Sequence, residues 1–236
     1  MPRPKLIITA DDYGMSPRFN QGMLEAARSG LVTGISVMIK RKYIRKAELL
    51  TLGISLGLHL ELENSSSYRE IISQIERFKK CFGRLPVYLD GHQHKHVTLG
   101  NIDRVIRAAQ RYGLPIRSRL PTDRAHLLQN GIATPSRFVS WHPERLSVLE
   151  ERLLAPRSLP VSELVVHPGY FDKRCRYTYN QEREAELAFL KSEDFRKLIR
   201  PFQLIRYTDI TDSARDVRTT APEKSKKRVR HQIVGS

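Results

Sequence analysis

Apolar runs of strand length alternate with longer segments of helical period from Lys5 to Tyr207. Alternation of this kind calls for βα units wound around a mostly parallel sheet. It predicts strands near residues 5–9, 32–38, 54–62, 86–92, 116–119, 163–167 and 202–207. Helices are predicted near 17–29, 44–52, 68–81, 102–111, 144–154 and 181–199, while 121–143 has no clear period. Ser16-Pro17 supplies a cap and an N1 proline for the first helix, and Gly30 its stop.

Strand faces separate a barrel from an open sheet. In ISLGLHLEL, Leu56, Leu58, Leu60 and Leu62 fall on one face and Gly57, His59 and Glu61 on the other. In the strand leading into DGHQHKH, Val87 and Leu89 oppose Tyr88, Asp90 and His92, and a continued strand would add His94 and His96 to the polar row. Central strands of an open sheet covered on both sides are more uniformly apolar. The fold expected is therefore α/β, a distorted (β/α) barrel of about seven mostly parallel strands whose lumen opens into a site.

The chain has 236 residues, which suits one domain over 1–212 followed by a basic tail over 213–236 that reads as disordered. With 41 Lys and Arg against 25 Asp and Glu, the formal charge is +16, and KRKYIRK at 40–46 concentrates it in the body. Such a surface favours polyanions: nucleic acid, anionic headgroups or a phosphate-bearing substrate. Solubility alone is the plainer explanation of a charge run. MPRPKLIITADD carries no secretory leader pattern and no apolar run reaches membrane-spanning length, so a cytoplasmic chain is expected, peripheral to the inner membrane face at most. Cys81 and Cys175 stand in unrelated contexts and read as reduced bystanders.

Functional groups of parallel α/β folds gather at the carboxyl ends of strands. Asp11-Asp12, His59 and the histidines from His92 onward all sit at or near predicted strand ends. Taken singly, the aspartates are commonly a cap or turn, and His59 an ordinary hydrogen-bonded core histidine. Together they offer imidazole and carboxylate donors for a divalent first-row metal with a water to activate. Spacing leaves open whether His92 pairs with His94 as joint ligands. VVHPGY at 165–170 adds His167, delivered by an apolar strand into a Pro-Gly turn.

ITADDYGMS, GLHLEL, DGHQHKH and VVHPGY resemble, in order, motifs of the YdjC-type carbohydrate deacetylases, a family that includes chito-oligosaccharide and hopanoid-associated deacetylases. The resemblance spans residues 5–209. It implies a distorted (β/α) barrel that removes an acetyl group from an N-acetylated sugar with a divalent metal, Zn2+ first, with Mg2+, Co2+ or Ni2+ as alternatives. It further implies Asp12, His59 and His92 as ligands, Asp11 as general base and His167 as general acid. His94 and His96 are then groups that either back the site residues or face the substrate, and Glu61 and Tyr13 are substrate-facing. Tyr88 stands where several members carry histidine, and the loop after GLHLEL is short. The basic surface adds the expectation of a sugar carried on a polyprenyl phosphate or other anionic lipid. A homodimer is the default assembly. The competing readings are a nucleic-acid-binding protein, for which no RNP, zinc-finger or helix-turn-helix pattern is present, and a non-catalytic sugar-binding relative.

Overall fold

Strand parity organises the molecule: Leu6, Ile8 and Ala10 enter the apolar layer beneath the helices, while Ile7, Thr9 and Asp11 turn the other way into a lumen. The protein is described here from a computed structural model, which defines residues 3–140, 149, 151, 153 and 161–210. Its strands are β1 (Lys5–Tyr13), β2 (Gly34–Val37), β3 (Ser55–Leu60), β4 (Leu89–Gly91), β5 (Arg137–Ser140), β6 (Val161–Val166) and β7 (Gln203–Leu204). They run parallel in the order β4-β3-β2-β1-β6-β5, with β7 paired to the start of β1.

The sheet curls, and irregular backbone joins its edges. Leu89 donates to the Pro115 carbonyl at 2.9 Å, Arg117 donates to Leu89 at 3.0 Å, and Ile116 donates to Ala133 at 3.1 Å on the way to β5. The strand predicted near 116–119 is thus reduced to a single bridge, Leu89 to Ile116. Pro115 and Pro121 bracket it and deprive the ladder of donors.

Helices α1 (Pro17–Arg28), α2 (Lys46–Leu50), α3 (Tyr68–Phe82), α4 (Ile102–Tyr112), α5 (Pro121–Gln129), α6 (Glu182–Lys191) and α7 (Glu193–Ile199) surround the sheet. Ser16 caps α1, its Oγ accepting from the amides of Arg18 at 3.1 Å and Phe19 at 3.4 Å. The helix expected over 181–199 breaks at Ser192, whose hydroxyl caps the second piece by accepting from Phe195 at 3.2 Å. The region without clear period contains α5 and β5. The basic tail lies outside the described residues, as does most of the segment 144–154.

Two predicted strands end differently from expectation. β4 stops at Gly91, and His92–Val97 form a 3-10 segment kinked where Gln93 and His94 take left-handed φ of 54° and 57°. The alternation of His92, His94 and His96 is therefore not that of a strand face. β1 runs on through both aspartates and carries a bulge: Ala10 pairs with Ile35 and Tyr13 with Val37, three steps against two, with Asp12 at φ 73°.

The lumen floor is apolar, with Ile7, Val161, Ile205 and Ile210 packed around Tyr88 and Tyr207, whose rings stack at 3.8 Å. Tyr88 lies directly over Gly57, where a Cβ would come within 2.2 Å of the ring. Gly57→Ala therefore overpacks the floor, and we expect a loss of about 1–3 kcal/mol in denaturant unfolding. A variant as stable as the parent would show that the ring moves aside freely.

Candidate active site

The bulge in β1 places two consecutive carboxylates at one site, where a regular strand would send them to opposite faces. Asp11 enters the lumen and meets Arg117, whose Nη1 and Nη2 donate to its two oxygens at 2.6 and 2.9 Å. The same guanidinium reaches Asp90 at 2.8 Å and donates through Nε to Glu163 at 2.9 Å. Arg117, Asp90 and Glu163 are wholly buried. Thr9 at 2.9 Å and Tyr207 at 2.5 Å donate to the oxygens of Glu163, and Ser36 donates to Asp90 at 2.5 Å. Burial pushes the Asp11 carboxyl up, but Arg117 and His59 outweigh it and hold the pKa at about 2.

Asp12 faces the rim. Its Oδ1 lies 3.2 Å from His59 Nε2 and 3.0 Å from His92 Nδ1, and its Oδ2 accepts from Arg183 at 2.6 Å. His59 presents Nε2 because its Nδ1 donates to Asp90 at 2.9 Å, the carboxylate–histidine arrangement that orients metal-ligating imidazoles. Burial lowers the pKa of His59, yet Asp90, Asp11 and Asp12 drive it well above the usual range. The site therefore prefers a positive charge at this position, which a divalent cation would supply in place of the proton. Asp12, His59 and His92 present donor atoms within 4.8 Å of one another and suit such a cation. Asp11, His59 and Asp90 meet the same distance criterion, but the guanidinium of Arg117 occupies both of those carboxylates.

His167 leaves β6 into the Pro-Gly turn, which two close contacts fix. Gly169 donates to the Arg183 carbonyl at 3.1 Å, and Gly22 of α1 approaches it so nearly that a Cβ would sit 2.5 Å from its Cα. Glu186 accepts from the His167 amide, and its other oxygen lies 3.8 Å from Nδ1. Burial depresses the imidazole pKa, and Glu186 together with Asp12 more than reverses this, raising it above the ordinary value.

The structure brings Asp11, Asp12, His59, His92 and His167 to one end of the lumen, while Tyr13 turns into the helix layer and His94, His96 and Glu61 engage protein partners. Tyr13, shifted in phase by the bulge, is fully buried in the helix layer with Arg45 and Glu48 nearby. Neutral His96 is buried and donates from Nε2 to the Arg117 carbonyl at 3.0 Å, anchoring that residue's backbone. His94 packs edge-on against Phe138 with centroids 5.0 Å apart, and burial drops its pKa to about 3; among the described residues the donor cluster that includes His92 is completed by Asp12 and His59. Glu61 is tied to Arg41 at 2.6 Å. Arg117, Arg183, Glu163 and Glu186 were not foreseen, since nothing local distinguishes a buried arginine or glutamate from a surface one.

His92 opens onto a cavity of about 640 Å³ whose lining includes Lys40, Arg41, Lys42, Tyr43, Arg176 and Tyr177. The run KRKYIRK therefore begins at the mouth of the site.

A family model described as YdjC-like protein matches residues 5–68 and 65–201. A carbohydrate deacetylase from Mus musculus is 31% identical over 184 residues, which cover 61% of this chain and 59% of that protein. A carbohydrate deacetylase from Thermoanaerobacter pseudethanolicus is 26% identical, with 83% of this chain and 94% of that protein covered. A chitooligosaccharide deacetylase from an Enterobacter species is 25% identical, with 87% and 98% covered. A solved structure from Enterococcus faecalis, of a proposed cellobiose-phosphate cleavage protein, superposes with a TM-score of 0.77 at 23% identity, covering 88% of this chain and 99% of that one, and shares the fold.

Arg117→Met would leave three buried carboxylates without their shared cation. We expect a loss of about 3–5 kcal/mol in equilibrium unfolding, and an unchanged midpoint would mean that the network does not hold the lumen together.

Proposed function

The chain belongs to the YdjC-like protein family, and from that premise we propose that it is a metal-dependent hydrolase removing the N-acetyl group from an amino sugar. The observation that carries this reading is the convergence of Asp12, His59 and His92 beside Asp11 and His167 at the mouth of a cavity sized for a sugar. The curated relatives named as carbohydrate and chitooligosaccharide deacetylases support it.

A divalent cation on Asp12, His59 and His92 would supply an acidified water and polarise the acetyl carbonyl, with Zn2+ the best match to two imidazoles and one carboxylate. Asp90 keeps the His59 Nε2 lone pair directed at that position, and Arg183 holds Asp12 by its other oxygen. Asp11, whose carboxyl Arg117 and His59 hold below the usual range, is the carboxylate that would orient that water and accept its proton. His167 donates to the departing amine nitrogen, a poor leaving group without a proton. Its raised pKa keeps that proton available at neutral pH, and Glu186 is the positioning residue responsible.

Acetate release from a panel of N-acetylated sugars, free, oligomeric and lipid-linked, tests this directly. We expect release that chelation abolishes and added Zn2+ restores, and a fall of about 10²–10⁴ in kcat for Asp11→Asn. No release from any sugar by protein carrying one equivalent of metal would refute the activity. Glu186→Gln should move the alkaline limb of the kcat/KM profile to lower pH and reduce kcat with KM little changed. A limb that stays in place would remove Glu186 from the acid's control.

A further inference from the structure

Large apolar side chains stand in water on four loops at the carboxyl end of the sheet. Tyr43 follows β2, Leu99 follows β4, Leu120 follows the Pro115–Arg117 segment and Phe171 follows β6, with exposures of 37%, 98%, 52% and 41%. Each lies on the path from a strand end to the next helix, so all four surround the end at which His92 opens. Among the described residues, Leu50 and Leu128 are the other large exposed apolar side chains, and both lie on helices.

The same loops are basic. The β2–α2 loop carries Lys40, Arg41, Lys42 and Arg45 without a carboxylate, and the loop after β6 carries Lys173, Arg174 and Arg176. The only carboxylate in these two loops, Asp172, is buried, accepts from the Ser16 hydroxyl at 2.6 Å and lies 3.7 Å from Arg174. Lys40, Arg41 and Arg45 pair with Glu70, Glu61 and Glu48, so Lys42, Lys173 and Arg176 carry the outward charge. A soluble polyanion would require the cations alone. Exposed leucine and aromatic tips set among lysines and arginines match a bilayer boundary, where the tips enter the acyl margin and the cations meet phosphates.

We propose that this end of the barrel docks on an anionic membrane surface, which presents a lipid-linked amino sugar to the cavity beside His92. The inference builds on the deacetylase reading by naming its substrate class, and its test needs no turnover. Full-length, Zn2+-loaded protein is sedimented at low and high salt with vesicles of phosphatidylcholine alone or with phosphatidylglycerol added. The expected result is salt-sensitive binding, about tenfold stronger to the anionic vesicles, weakened about tenfold in a Leu99→Ser/Leu120→Ser variant. Neither leucine lines the cavity, so that variant should retain acetate release from a free sugar and the parent's melting temperature. No sedimentation at low salt would overturn the proposal. So would anionic binding that the double variant keeps in full, because charge alone would then act and any polyanion, nucleic acid included, would serve. Vesicle binding by a protein that releases no acetate would keep the docking surface and refute the deacetylase.

Discussion

One guanidinium holds three carboxylates inside the barrel. Arg117 comes from the irregular segment that closes the sheet and reaches Asp11 on β1, Asp90 on β4 and Glu163 on β6. Buried charges are stable only when neutralised and hydrogen-bonded, so the network exists only when those strands are in register. Closure of the lumen and ionisation of Asp11 are thus consequences of the same contact. Because Asp90 also orients His59, the imidazole presented at the rim depends on a cation it does not touch.

The molecule is layered along its axis. Stacked Tyr88 and Tyr207 cap an apolar floor, ions fill the middle, and the donor atoms of Asp12, His59 and His92 occupy the top. The dry floor leaves polar groups only one way out, toward the mouth. Low dielectric beneath the site strengthens each electrostatic contact above it. The proposed donor site and the basic rim therefore share one opening.

Much of this was legible from residue patterns. Period-two alternation in GLHLEL gave the lumen its histidine, and Ser16-Pro17 marked the first helix to the residue. The same rule failed for DGHQHKH, because spacing by two also fits a turn, and positive φ at Gln93 and His94 leaves no mark in composition. Arg117 was invisible for a different reason: among 41 lysines and arginines, burial is decided by distant strands. Tyr13, read as substrate-facing from its place in the ITADDYGMS motif, is buried because the strand runs on past residue 9 and bulges, which only pairing with β2 reveals.

That bulge imposes a constraint of length on ITADDYG. Substituting the apolar residues before it changes volume, which cores absorb in part. Adding or removing one residue would exchange the faces of Asp11 and Asp12, leaving Arg117 and the imidazoles with each other's carboxylate. The segment is therefore tolerant in composition and intolerant in count.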